Sequence, residues 1–145
     1  MSHVSTYLNF PRNTEEAFNF YKSVFGTEFM GEIARMGTVP PQEGMPPVAE
    51  EDKNLVVHIE LPILGGHVLM GTDAPESMGF TVTHGNNMYI NLEPDTRSET
   101  DRLFAALSAG GTVEMPLTDM FWGDYFGSCR DKFGIPWMFN CSSKE

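Results

Sequence analysis

Two stretches of the chain alternate apolar with polar residues, and each is followed by a helical pattern. Residues 5–10 and 87–92 alternate as a strand with one buried face does. Beyond each stretch, apolar residues recur three or four positions apart, which predicts a helix packed against a sheet. These recurring residues are Ala17, Phe18, Tyr21, Val24 and Phe25 in the first case, and Leu103, Phe104 and Leu107 in the second.

Capping signals bound both predicted helices. Asn13 precedes Glu16 by three residues, a spacing typical of a capping box at the start of a helix. Thr96 precedes Glu99 by the same spacing. Glycine commonly closes a helix because it adopts the left-handed conformation without strain. The glycines that end the predicted helices are Gly26 for the first, and Gly110 and Gly111 for the second.

Three further strands are predicted after each helix. The clearest is residues 54–64, where apolar and mixed positions alternate. Gly65 and Gly66 then turn the chain into the next strand, so that the two strands form a hairpin. The six predicted strands are residues 27–36, 54–64, 67–73, 112–117, 121–130 and 135–141.

Two long loops interrupt this pattern. Residues 37–53 contain four prolines, which lack the N–H group that a sheet ladder needs. The segment is longer than ordinary connections, so it is either a lid, a partner-binding loop or a solvated loop without such a role. Residues 74–87 form the second loop.

Short letter matches fall at corresponding places in the two halves. Residues 7–10 read YLNF and residues 89–92 read YINL. The Gly-Thr pair that follows the first helix, at residues 26–27, recurs at residues 111–112 after the second. The repeated order of elements together with these matches indicates an internal duplication.

The duplication predicts an α+β fold made of two βαβββ modules within a single domain, residues 1–145. Module one covers about residues 3–75 and module two about residues 84–142. Laid side by side, two such modules form a curved mixed sheet around a cavity, with the helices on the outside.

Seven segments spread over nearly the whole chain carry a family resemblance. They are residues 7–10, 16–22, 25–26, 58–61, 70–75, 121–123 and 131–138. With them the chain resembles the vicinal oxygen chelate (glyoxalase/bleomycin resistance/dioxygenase) superfamily, and within it the PhnB-like, demethylubiquinone methyltransferase-like group. The last segment, DKFGIPWM, is the most specific. The resemblance implies the glyoxalase/bleomycin resistance fold, on which many activities are found.

The resemblance also implies metal ligands, usually His, Gln or Glu, on the first and last strands of each module. The first strands of the modules offer only tyrosine and asparagine. The last strand of module one offers His67 or Asp73, and the last strand of module two, residues 135–141, has no carboxylate. We therefore expect no metal and no cofactor. The methyltransferase name finds no support either, because the sequence lacks a glycine-rich nucleotide-binding turn.

His58 and Glu60 are the candidate catalytic residues. Alternation places both on one face of a strand, where an imidazole and a carboxylate can share a proton or bind a ligand. The alternative is a structural hydrogen bond between them in a polar patch.

The candidate ligand-binding residues are aromatic and belong to the second module. In residues 121–127 (FWGDYFG), glycines permit close approach and aromatic rings offer flat apolar surface. The resemblance implies that this segment lines the cavity, and the alternative is that it fills the core. The candidates are Tyr89, Trp122, Tyr125 and Phe126.

Charge and composition exclude several partners. The net charge of −11 disfavours nucleic acid, membrane surfaces and an anionic phosphonate ligand. No stretch approaches the roughly 20 apolar residues of a membrane span, and no leader pattern is present, so we expect a cytoplasmic protein.

Cys129 and Cys141 have neither disulfide-framework nor metal spacing, and we interpret them as core residues.

These observations favour a protein that binds a small organic molecule in a mostly apolar cavity without a metal. The alternative is a metal-dependent lyase, isomerase or dioxygenase of the same superfamily that uses His58 and Glu60. A subunit whose main task is assembly is a third possibility, and whether any reaction is catalysed stays open. We expect a homodimer, because exposed strand edges need covering.

Overall fold

The computed structural model describes residues 1–40 and 43–145. Residues 41 and 42, which belong to the predicted loop 37–53, lie outside the described residues. The chain divides into two compact units, Met1–Val82 and Thr83–Glu145. The predicted single domain and its module bounds stay predictions, since the division into units tests neither of them.

The first unit has the order βαβββ. Its sheet runs β1-β4-β3-β2, with β1 parallel to β4 and the other neighbours antiparallel. Its elements are β1 (Thr6–Phe10), α1 (Thr14–Phe25), β2 (Ala34–Arg35), β3 (Val56–Pro62) and β4 (Val68–Asp73).

The second unit repeats this order. Its sheet runs β5-β8-β7-β6, with β5 parallel to β8 and the other neighbours antiparallel. The predicted α+β class with two βαβββ repeats is therefore confirmed. The elements are β5 (Ile90–Leu92), α2 (Arg97–Ser108), β6 (Thr112–Asp119), β7 (Tyr125–Arg130) and β8 (Pro136–Cys141).

In the first unit, α1 covers one face of the sheet. Phe18 of α1 lies over Gly71 so closely that a Cβ at Gly71 would stand 2.6 Å from its Cε1 atom. Ile59 and Leu61 of β3 are buried on this face, with Leu69 of β4 opposite Leu61. Glycine at position 71 thus permits the close packing that removes these side chains from water.

In the second unit, α2 covers the equivalent face. The rings of Phe104 and Phe139 meet edge to face with their centroids 5.2 Å apart. Trp137 and both cysteines, Cys129 and Cys141, are fully buried, as expected for core residues. Burial raises the pKa of Cys129 to about 12, so this thiol stays protonated and unreactive.

The two helices begin in different ways. The Thr96 side chain accepts a hydrogen bond from the Glu99 N–H at 3.1 Å, which confirms the predicted cap of α2. Asn13 makes no such bond, so its predicted capping role is wrong. The first N–H of α1, that of Thr14, instead donates to Asp73 at the end of β4, at 3.1 Å.

The predicted strand at residues 27–36 is wrong over most of its length. Only Ala34–Arg35 is a strand, and the Met30 N–H donates separately to the Glu60 carbonyl. Gly31 adopts a positive φ of 73°, which breaks the extended backbone between them. Gly31 is visible in the sequence, but the strand-favouring residues on both sides of it led to the prediction of one continuous strand.

The loop at residues 37–53 is anchored at both ends. Met36, directly before the loop, is 8% exposed and therefore belongs to the core. Asp52 is 2% exposed and accepts hydrogen bonds from Arg12 and from Ser77. Within the described residues, no helix is long and apolar enough to cross a membrane.

Candidate functional site

Each sheet has one face that its own helix leaves uncovered, called here its open face. In the first unit the strand register sets Tyr7 of β1, Met70 of β4 and Glu60 of β3 side by side across the sheet. Because side chains alternate along a strand, these three lie opposite the buried face that carries Leu61 and Leu69.

His58 lies on the same open face, two residues before Glu60 on β3. Its Nε2 atom lies 2.9 Å from Glu60 Oε1, and its ring centroid is 5.9 Å from that of Tyr7. The side chains of His58 and Glu60 are 39% and 28% exposed, so both are reachable from solvent. The structure thus brings the two predicted catalytic residues together, and their catalytic role stays a prediction.

The open face of the second unit is aromatic. Phe126 of β7 lies opposite Asn140 of β8, on the face away from Phe139 and α2. Trp122, in the turn before β7, has its ring centroid 6.2 Å from that of Phe126 and 4.9 Å from that of Phe121. Phe121, Trp122 and Phe126 are called here the aromatic cluster.

The aromatic cluster is only partly used for packing. Phe121 is 96% exposed and Trp122 is 49% exposed. Large aromatic side chains gain free energy when they leave water, so a patch of this kind commonly marks a contact surface. Phe121 was not among the predicted site residues, although its position next to Trp122 in the sequence was a usable signal.

Tyr125 is separated from this cluster. It follows strand alternation to the α2 side, where its hydroxyl donates to Asp101 at 2.6 Å and the Arg97 guanidinium lies over its ring at 4.7 Å. The hydrogen bond to Asp101 raises the pKa of Tyr125. The structure therefore does not bring Tyr125 together with Trp122 and Phe126, and its ligand-binding role stays a prediction.

Tyr89 also has a protein partner. Its hydroxyl donates to the carboxylate of Glu114 on β6 at 2.9 Å, and this bond raises the pKa of Tyr89. A phenol held in this way stays protonated near neutral pH, so it can serve only as a hydrogen-bonding group. Its ligand contact stays a prediction.

Asp131 has a structural role that the sequence did not reveal. The residue is only 3% exposed. Its carboxylate accepts hydrogen bonds from the N–H groups of Phe133 and Ile135 and from Nε1 of Trp137, at 2.8–3.0 Å. The DKFGIPWM segment therefore forms the turn from β7 into β8, and hydrogen bonds within the segment stabilise this turn.

The donor set does not fit a resident metal of the superfamily. Among the described residues, no group of three or more His, Cys, Asp and Glu side chains is arranged to hold an ion. His58 and Glu60 supply two donors, and their neighbours on the sheet are Tyr7 and Met70, which are poor ligands for hard or borderline divalent metals.

Comparison with known proteins identifies the family. The family described as 3-demethylubiquinone-9 3-methyltransferase has a sequence model that matches residues 2–139. The chain belongs to this family. The protein YjdN of Escherichia coli (strain K12) is 30% identical to it over 151 residues, which cover 98% of this chain and 97% of YjdN.

Solved structures of similar proteins agree with this assignment. A PhnB protein from Bacillus cereus is 28% identical with a TM-score of 0.73, and the match covers 97% of this family member and 99% of the Bacillus chain. A glyoxalase/bleomycin resistance protein/dioxygenase family enzyme from Burkholderia phytofirmans PsJN has a TM-score of 0.61 at 21% identity, covering 95% of this chain and 98% of that one. The predicted PhnB-like membership and the predicted fold are thereby confirmed.

Proposed function

We propose that this protein binds a small, mostly apolar organic molecule through the aromatic cluster of its second unit. The observation that carries the proposal is the exposure of Phe121 and Trp122, at 96% and 49%, next to the ring of Phe126. A flat ligand seated on these rings removes apolar surface from water on both sides.

Charge narrows the class of ligand. The chain carries 20 acidic and nine basic residues. Near the aromatic cluster, the carboxylate of Asp124 accepts a hydrogen bond from Asn140 at 3.0 Å. An excess of negative charge disfavours an anionic ligand, so the proposed ligand is neutral or cationic.

The family description names a methyl transfer, which would require a bound methyl donor beside the acceptor. Nucleotide-type donors are commonly held by a glycine-rich turn between a strand and the following helix. The two such connections here are residues 11–13 (PRN) and residues 93–96 (EPDT), and neither contains glycine. Binding of an organic molecule is therefore the function that the described residues support best.

The chain has two tryptophans, which allow a direct test. Trp122 is half-exposed in the aromatic cluster and Trp137 is fully buried against α2. The neutral fluorescent probe N-phenyl-1-naphthylamine is expected to bind and to quench Trp122 by energy transfer. Replacement of Trp122 by Ala is expected to weaken probe binding about tenfold, since it removes one stacking ring and its apolar surface.

Phe80→Ala is the matched control, because Phe80 is a 53% exposed aromatic residue of the first unit that is not part of the aromatic cluster. It is expected to bind the probe as the unchanged protein does. Equal probe affinity of the protein before and after Trp122→Ala and Phe126→Ala would contradict the proposal. Light scattering on the same samples tests the expected homodimer and shows whether probe binding changes the association state.

A further inference from the structure

The pair formed by His58 and Glu60 has a defined hydrogen-bonding state. A carboxylate can only accept, so the 2.9 Å contact with Glu60 Oε1 requires a proton on Nε2 of His58. In the neutral ring the lone pair is then on Nδ1. Among the described residues, none forms a hydrogen bond with Nδ1, so this nitrogen is available to accept a proton from a ligand.

Glu60 orients the His58 ring through this hydrogen bond. When the ring takes up a second proton it becomes a cation, and the carboxylate at 2.9 Å stabilises that cation. A carboxylate that orients a histidine and stabilises its protonated form is the arrangement that general-base catalysis uses.

The charged groups of neighbouring elements have other partners. Arg35 of β2 donates to Glu15 of α1 at 2.7 Å, and Asp73 of β4 accepts from Thr14 on the helix side of the sheet. Neither of them forms a hydrogen bond with the His58–Glu60 pair. In the described part of the chain, Glu60 is the charged group within hydrogen-bonding distance of the His58 ring.

The surroundings of the pair favour an aromatic or planar ligand. Tyr7 is 50% exposed and its ring lies 5.9 Å from the imidazole, tilted by 38°. Met70 lies between Tyr7 and Glu60 in the strand register and adds an adaptable apolar contact. A flat apolar surface therefore stands directly beside an uncommitted proton acceptor.

We propose that His58 and Glu60 form a proton-accepting site for a phenolic or enolic ligand. The ligand O–H bond breaks, its electron pair stays on the ligand oxygen, and the proton is bound by Nδ1 of His58. The product is an ion pair between the ligand oxyanion and the imidazolium, which Glu60 stabilises through Nε2–H. This site lies in the first unit and goes beyond the proposed binding at the aromatic cluster.

The test uses 4-nitrophenol, whose ionised form absorbs visible light and whose neutral form does not. At a pH at which the free phenol is mostly protonated, the protein is expected to produce additional phenolate absorbance that saturates with protein concentration. His58→Gln is expected to abolish this absorbance. Glu60→Gln is expected to lower the affinity of the ionised probe about tenfold, because it removes the charge that stabilises the imidazolium.

His67→Gln is the matched control. His67 contacts the Thr6 hydroxyl at 2.8 Å, and its variant is expected to behave as the unchanged protein does. The proposal is overturned if the protein produces no phenolate, or if the phenolate survives in His58→Gln. Thermal unfolding of each variant shows that the fold is retained.

A second measurement is independent of probe affinity. Nitrogen-15 NMR of the histidine rings is expected to place the proton of neutral His58 on Nε2, and to show a second proton on Nδ1 when 4-nitrophenol is added. A ring protonated on Nδ1 in the free protein would overturn the proposal, because Nδ1 would then not be an acceptor.

Discussion

The two units share an order of elements but differ in what their open faces present. The first carries a polar pair, His58 and Glu60, beside Tyr7, whereas the second carries the aromatic cluster. The buried faces of the two sheets are both apolar because each must pack against a helix. An open face has no such requirement, so its side chains can differ between repeats without loss of the fold.

The same contrast extends to the buried carboxylates. Asp73 accepts hydrogen bonds from the N–H and hydroxyl of Thr14 and from the N–H of Val56, so it joins α1 to β3 and β4. Asp131 accepts hydrogen bonds from residues two to six positions further along the chain. One carboxylate connects distant elements, and the other organises a single hairpin.

The largest expected effect is the loss of either carboxylate. Asp73→Ala and Asp131→Ala should each lower the free energy of unfolding by about 3–5 kcal/mol. In each variant, the three buried groups that donate to the carboxylate are left without an acceptor. Denaturant unfolding measures the loss. Hydrogen exchange should separate the two variants, with faster exchange in α1 for Asp73→Ala and around β8 for Asp131→Ala.

Asp119→Ala is the control for both variants. Its side chain is 66% exposed and pairs with Arg97 at the surface, so its removal should cost far less than the loss of either buried carboxylate. Equal losses for all three variants would show that burial of the carboxylate is not what distinguishes them.

A smaller difference is expected between the two helix starts. Thr96→Ala should lower the free energy of unfolding by about 1 kcal/mol, because the Glu99 N–H loses its acceptor. Asn13→Ala should change it by less than about 0.5 kcal/mol, because the Asn13 side chain makes no capping bond. Urea unfolding measures both, with Thr96→Ser as the variant that keeps the cap. A larger loss for Asn13→Ala than for Thr96→Ala would contradict this assignment of caps.

The smallest expected effect concerns acid stability. The hydrogen bond from Arg12, followed by that from Ser77, lowers the pKa of Asp52, and the bond from Arg97 lowers the pKa of Asp119. A lowered carboxyl pKa contributes stability that is complete above the ordinary carboxyl pKa and is lost as the pH falls through the lowered value. Asp52→Asn and Asp119→Asn should therefore each flatten the decline in stability below about pH 4.

High salt should change the effects of these two substitutions to different extents. Asp52 is shielded from solvent, while Asp119 is exposed, so about 1 M salt should suppress the effect of Asp119→Asn more strongly. Unfolding midpoints measured across acidic pH at low and high salt test this. Identical salt dependence of the two variants would count against the difference in burial.

Local signals predicted much of the molecule. The helix at Arg97–Ser108, its Thr96 cap and the glycine-closed end of α1 rest on interactions between residues a few positions apart, and all agree with the sequence patterns. The pairing of His58 with Glu60 was predictable for the same reason, since strand alternation alone places them on one face.

Several of the failures depend on residues distant in the sequence, whereas the strand predicted at residues 27–36 fails at Gly31 within it. Asn13 has the spacing of a cap, yet the first N–H of α1 is satisfied by Asp73, 59 positions further along the chain. Met36 is buried because of what surrounds it in the fold, and no periodic pattern marks it. Phe126 and Tyr125 are neighbours in the sequence, but the sheet turns them to opposite faces.

The repeat, the α+β class, the family and the local chemistry of the His58–Glu60 pair could be predicted because each depends on residue types and short spacings. By contrast, which carboxylates are buried, how α1 is capped and which aromatic rings remain exposed became clear from the folded structure. Burial and long-range hydrogen bonds arise when distant segments exclude water together, and composition and local spacing do not encode which segments those are.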